Sequence, residues 1–122
     1  MMPFQRVRAW KDAHEFALKV NEEADRWPKH EMFVLTAQVR RASISIPTNI
    51  AEGAGKRGSK EYRRYLDVAL GSFSELTFLL IFARDRQYLT AESWQGLEGR
   101  RELLGRILWR LYESVSKHAA SQ

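Results

Sequence analysis

The sequence predicts an all-α fold, an antiparallel up-and-down bundle of four helices forming a single domain over residues 1–122. Three observations carry this reading. Apolar residues recur at alternating spacings of three and four in four separate segments, which is the mark of one helical face. No stretch sustains the period of two that a half-buried strand requires. The connectors are short, and short connectors join antiparallel neighbours.

The first helix is expected over about 9–27. Trp10, Ala13, Ala17, Val20, Ala24 and Trp27 form its stripe. Pro28 ends it, because the residue before proline is biased out of the α region.

The second helix is expected over about 31–54, with Met32, Leu35, Val39, Ala42, Ile46, Asn49 and Gly53 on the stripe and Ile50 flanking it. The fragment ASISIP (42–47) alternates like a strand, but the helical register runs through it for about twenty residues and decides the matter. Pro47 removes one backbone hydrogen bond and crowds the carbonyl of Ser43, so a kink is expected there and not a break.

The third helix is expected over about 59–87, with Ser59 as N-cap and Glu61 in the favourable first turn. Tyr62, Leu66, Ala69, Phe73, Leu76, Leu80 and Ala83 make a heptad-like seam. From Phe73 onward nearly every side is apolar, which places more than one side in contact with other elements. The cover is either the rest of its own bundle or a neighbouring subunit.

The fourth helix is expected over about 91–117, capped by Thr90 and carrying Trp94, Leu97, Leu104, Leu108, Leu111 and Val115. Gly96, Gly99 and Gly105 each cost roughly 1 kcal/mol relative to alanine, so irregularity is expected in its first half. The tail KHAASQ (117–122) is expected to fray.

Composition narrows the function. With 44% hydrophobic and 29% charged residues the chain reads as an ordinary globule. It has no cysteine, which excludes disulfides and thiolate metal sites and fits a reducing cytoplasm. The longest apolar run, LTFLLIFA (76–83), is short of the ~20 residues of a membrane span, and the N-terminus shows no secretory apolar region. A cytoplasmic protein without a membrane role is therefore expected.

The net charge is +5, and its distribution is uneven. Arg40, Arg41, Lys56, Arg57, Lys60, Arg63 and Arg64 face only Glu52 and Glu61 between positions 40 and 64, while the remaining thirteen basic and thirteen acidic residues cancel. Lys60, Arg63 and Arg64 share one helix face beside Lys56 and Arg57, and Tyr62 and Tyr65 interleave with them. Arginine forks suit phosphate oxygens, and aromatic rings can stack on unpaired bases. The seven cations are thus the candidate surface for nucleic acid or for an acidic protein. The competing reading is a solvated basic rim with the tyrosines in the core or at a subunit interface.

GAGKRG (53–58) is a literal G-x-G-x-x-G, yet the dinucleotide fingerprint needs a strand directly before it and a sheet around it. Here PTNIAE precedes it. The glycines read instead as helix end and turn, with Gly53 and Gly55 closing one helix and Gly58 turning the chain. A Walker loop fails because Gly58, Ser59 and Lys60 come in the wrong order. HEFAL (14–18) and HEMFV (30–34) lack the second histidine of a zinc protease motif. No Glu-x-x-His pair suggests a di-iron site, and Ser43, Ser45 and Ser72 have no histidine nearby in sequence. No catalytic residue, metal or cofactor is expected. Asn49, polar on an apolar stripe, either bonds carbonyls freed by Pro47 and fixes register, or forms with Glu52 a binding site at the kink. Ser43 and Ser45 read as small spacers for close helix approach.

Residues 38–76 carry a resemblance. Gln38, Arg40, Arg41, Ala42, Ser45, Ile46, Pro47, Asn49, Ile50, Ala51, Glu52 and Gly53, followed by Tyr62, Tyr65, Leu66, Ala69, Gly71, Ser72, Glu75 and Leu76, resemble the signature of a small bacterial four-helix-bundle family. It includes proteins encoded by intervening sequences in 23S ribosomal RNA genes and the accessory variability protein of diversity-generating retroelements. The resemblance runs from Trp10 to Leu89. Where many members have glycine, this chain has Val34, which affects the entry of the second helix. The resemblance implies a homopentameric barrel of four-helix bundles and no enzymatic activity. For the retroelement branch it implies binding to a reverse transcriptase and nucleic acid through a basic surface.

The functional expectation is a non-enzymatic oligomeric adaptor that binds RNA, DNA or a nucleoprotein partner through the basic patch, with Pro47, Asn49, Glu52 and Gly53 as its structural motif. The alternative is a self-assembly module whose charge serves solubility and subunit contacts.

Overall fold

The computed structural model describes residues 1–121. They form a 3-10 turn at Pro3–Arg6, helix α1 at Arg8–Ala24, a second 3-10 turn at Lys29–Glu31, and helices α2 at Leu35–Ala54, α3 at Ser59–Asp85 and α4 at Ala91–Ala120. The described residues contain no strand. α1 packs on α2 and α4, and α3 packs on the same two. Every connection therefore joins neighbours in a four-helix bundle.

The core follows the apolar period. Ala13, Ala17, Val20 and Ala24 of α1 are buried with Leu35, Val39, Ala42 and Ile46 of α2, and with Leu66, Ala69, Leu76, Leu80 and Ala83 of α3. Leu97, Leu104, Leu108 and Val115 complete it from α4. Phe16, one position off the α1 stripe, is among the largest fully buried side chains. A helix flanked by two neighbours buries a wider sector than a strict three–four stripe. Each valine, leucine, isoleucine or phenylalanine among these core side chains contributes about 1.5–3 kcal/mol by leaving water.

The helix ends differ from the sequence expectation. α1 stops at Ala24, not near Trp27, because the amides of Arg26 and Trp27 bond the carbonyls of Glu23 and Ala24 at 3.1 Å each, a tightened ending. Trp27 is buried beyond the helix. α2 begins four residues later than expected. The chain spends Lys29–Glu31 in a 3-10 turn, and Val34, at φ −118 and ψ −93, is the N-cap outside the helical basin. Met32, assigned to the stripe, is consequently exposed with Phe33 and Val34. α2 is helical on both sides of Pro47. α3 ends at Asp85, and Gln87 turns the chain with φ 66.

α4 is continuous through Gly96, Gly99 and Gly105, against the expected irregularity. The hydroxyl of Thr90 accepts a hydrogen bond from the amide of Ser93 at 3.0 Å, which caps the first turn. The guanidinium of Arg84 lies 4.5 Å from the centre of the Trp94 ring and ties that turn to α3. The fraying expected from Lys117 is also overturned. The helix runs to Ala120 because Ala119 is buried against the bundle; Gln122 lies outside the described residues.

By length and composition α3 is apolar enough to cross a membrane, with a mean hydropathy of 1.7 over eighteen residues. The shorter run read from the sequence missed this wider window. Its seam packs in the bundle core, yet only 33% of that window is buried, and Val68, Phe78 and Phe82 of α3 stay exposed.

Candidate nucleic-acid interface

The turn between α2 and α3 begins with a close approach. Gly53 is buried inside the last turn of α2, where a β-carbon would stand 2.9 Å from Cδ1 of Tyr62 and 2.9 Å from Cβ of Tyr65. Its absence lets the two tyrosines of α3 lie directly on α2. Gly53 is therefore a contact residue and not a helix terminator. Gly55 is the C-cap with ordinary helical angles, φ −87 and ψ −4. The reversal falls on Gly58, whose φ of 84 lies where side chains other than glycine are strained. Gly58, and not Ser59, occupies the N-cap position of α3.

This geometry displays the basic residues of the turn. Lys56, Arg57 and Lys60 are exposed, and Arg63 is half-buried. None of these four carries an ion pair among the described residues. Arg64 is engaged: its Nε and Nη2 donate to the two oxygens of Glu61 at 3.3 and 3.2 Å. That hydrogen bond and the guanidinium charge hold the Glu61 carboxyl below its usual range and raise the Arg64 pKa.

The tyrosines do not offer free stacking faces. Tyr65 is half-buried, and its ring lies 4.8 Å from Cζ of Arg64 and 5.5 Å from Nζ of Lys56. Tyr62 packs against the core. Its hydroxyl is buried without a hydrogen-bond partner among the described residues, and burial pushes its pKa up. The surface at the turn is thus cationic, and its aromatic residues order the cations.

Arg40 and Arg41 stand elsewhere. They sit about 20 Å along α2 from the turn at 1.5 Å per residue. The Nη1 of Arg40 donates to Oδ1 of Asn21 at 2.9 Å and its Nη2 to Oδ1 of Asp25 at 2.8 Å, which makes it a clip between α2 and α1. Asn21 in turn donates to Oγ of Ser43 at 2.9 Å and to the carbonyl of Ala17 at 2.7 Å. Sequence reasoning missed Asn21. The available signal was its place four residues after Ala17, beside an otherwise small and apolar stripe. Arg41 is exposed and unpaired among the described residues.

The remaining motif residues have distinct places. Pro47 is buried, and with Trp10, His14, Leu18, Ile44 and Glu52 it lines an apolar groove of about 510 Å³ between α1 and α2. Asn49 donates to the carbonyl and hydroxyl of Ser45 at 2.8 and 3.1 Å. The carbonyl freed by Pro47 is that of Ser43, so Asn49 serves a different one. The Ser45 hydroxyl lies 2.7 Å from that of Ser72, joining α2 to α3. Ser43 and Ser45 are therefore bonded links as well as small spacers. Glu52 is exposed at the groove. Among the described residues no three histidine or acidic side chains gather as a metal site would require.

A family model of the 23S rRNA-intervening sequence proteins matches residues 5–110. The chain belongs to that family. The matched span runs from the first 3-10 turn into α4, and so covers the clip, the basic turn and the groove. Among solved structures, a protein of unknown function from the S23 ribosomal protein family of Bacteroides thetaiotaomicron aligns with a TM-score of 0.78 at 20% identity, covering 86% of this chain and 95% of that one. At that identity the likeness shows the fold of this 23S rRNA-intervening sequence protein. No curated protein matches the chain significantly.

Proposed function

We propose that this protein is a non-enzymatic, oligomeric adaptor of the cytoplasm that holds nucleic acid, alone or in a nucleoprotein, at the α2–α3 turn. The observation that supports it is the set of cations Lys56, Arg57, Lys60 and Arg63 at one bundle end, none with an ion pair among the described residues, held on a turn braced by Gly53 and Tyr65. Membership in a family associated with the intervening sequence of 23S rRNA makes RNA the first ligand to try; a reverse transcriptase complex is the nucleoprotein the sequence resemblance suggests. The test is a salt titration of binding to an RNA oligonucleotide. With about four phosphates contacted, log K should fall against log salt with a slope of about −3 to −4, and Arg57→Glu with Arg63→Glu should flatten it. No detectable binding at low salt overturns the proposal.

A second reading, a self-assembly module without a nucleic-acid role, is supported by exposed Val34, Phe78 and Phe82. These side chains border a shallow apolar pocket of about 260 Å³ over Leu35 and Leu79. Exposed apolar surface of this kind marks a contact with another chain, and five copies is the number the resemblance implies. Light scattering of Arg63→Glu and Arg64→Glu separates the readings. Loss of the oligomer favours the assembly module, and loss of RNA with the oligomer intact favours the adaptor.

A further inference from the structure

The C-terminal half of α4 carries the aromatic surface that the turn lacks. Trp109 is half-exposed, and its ring stacks on Tyr112 with centroids 5.4 Å apart and an interplanar angle of 27°. Tyr112 is partly buried against the core, so it holds one face of the indole in place while the rest of Trp109 remains open to solvent. Arg106 precedes Trp109 by one turn of helix and Arg110 follows it; both are exposed and without an ion pair among the described residues. Glu113 is the single carboxylate between Leu103 and Ala120.

The packing of α3 on α4 sets how this surface stands relative to the basic turn. A β-carbon on Gly105 would meet Cζ of Phe73 at 3.0 Å, which fixes the register of the two antiparallel helices. Counting four residues on from Gly105 and four back from Phe73 brings Trp109 level with Ala69. Arg63 lies six residues nearer the turn along α3, about 9 Å at 1.5 Å per residue. Lys56 and Arg57 lie beyond it. Along the helix axes, cations therefore extend from the turn past Arg63 to Arg106 and Arg110, with the exposed carboxylates Asp67 and Glu113 and one open indole among them.

We infer that Trp109, held by Tyr112 and flanked by Arg106 and Arg110, is a stacking platform for an unpaired base of a single-stranded nucleic acid whose backbone continues to the α2–α3 turn. The inference rests on the function proposed above. A base presents a flat π-face to an exposed indole whatever its identity, while guanidinium groups on either side meet the adjoining phosphates. A duplex keeps its bases stacked on one another and cannot use the platform, so the surface distinguishes single strands.

The test uses the full chain with a single-stranded RNA of about twelve nucleotides, within the range of single-strand site sizes, and the duplex of the same length. Trp109→Ala should weaken single-strand binding roughly five- to a hundredfold, as loss of one base stack does, while duplex binding and the salt slope stay unchanged. Trp109→Phe should retain most of the affinity but lose the tryptophan quenching that RNA causes in the parent protein. If Arg57→Glu weakens binding and Trp109→Ala does not, the platform is overturned and the turn stands. If Trp109→Ala weakens binding and Arg57→Glu is silent, the platform stands and the turn fails. A smaller assembly mass in Trp109→Ala, by light scattering, makes Trp109 a subunit contact and overturns the platform.

Discussion

A β-carbon on residue 53 would stand 2.9 Å from Cδ1 of Tyr62, so α2 and α3 meet at a distance that only glycine permits. Gly53→Ala must push Tyr62 and the backbone-proximal Cβ of Tyr65 away. Overpacking of this kind costs about 1–3 kcal/mol and outweighs the roughly 1 kcal/mol that alanine gains over glycine in a helix. Gly96 and Gly99 have open space where a β-carbon would go; alanine there should stabilise by up to about 1 kcal/mol each. Urea midpoints of the three variants check the sign, and a stabilised Gly53→Ala would refute the close approach.

Arg40 illustrates how a basic residue is withdrawn from a surface. Its bonds to Asn21 and Asp25 predict that Arg40→Ala loses about 1–2 kcal/mol of stability while RNA affinity changes less than twofold. Asp25→Ala should cost under about 1 kcal/mol, because that carboxylate is well exposed and its pairing is screened. Retained stability with lost affinity in Arg40→Ala would return the residue to the interface.

Acid should loosen the α4 surface. The hydrogen bond from Arg101 and its charge hold the Glu98 carboxyl below its ordinary value of 4.5, against the opposing effect of burial. A carboxylate depressed in the folded state adds stability above the unfolded value and loses it as pH falls through the folded one. The parent protein should therefore lose thermal stability on acidification below about pH 4.5. Glu98→Gln should show a shallower loss, with a difference at neutral pH of about 1 kcal/mol or less. Parallel pH profiles for the two proteins would exclude the contribution.

The Tyr62 hydroxyl offers a gain. It is buried with no partner among the described residues, and an unsatisfied buried hydroxyl costs about 1–3 kcal/mol. Tyr62→Phe keeps the ring on Gly53 and should be neutral to about 1 kcal/mol more stable in a thermal melt. Destabilisation beyond 1 kcal/mol would reveal a partner such as bound water.

The helices were legible because burial imposes a period, and Val20, Val39, Leu66 and Leu108 advertise it one residue at a time. The basic turn was legible from Lys56 and Arg57 set among glycines. What Gly53 does was not, because its reason lies in Tyr62 and Tyr65, nine and twelve positions away. The same holds for Arg40: its removal from the interface depends on α1 presenting Asn21 at the matching height, which no local pattern encodes. The ends of α1 and α2 were misplaced because the route from Trp27 to Leu35 is set by where Trp27 finds cover. Nothing in the α4 stripe marked Trp109, since exposure is decided by the neighbouring helices.

Pro47 leaves α2 with a missing rung, and its consequence reaches the whole chain. The ladder lacks the amide that would meet the carbonyl of Ser43, and the residues around the gap are tied sideways, Ser43 to Asn21 and Ser45 to Ser72. These side-chain bonds do not reach the freed carbonyl, but they fasten the helix to α1 and α3 beside the gap. Excised as a peptide, 35–54 should be largely coil, since an interior proline costs a helix about 3 kcal/mol or more.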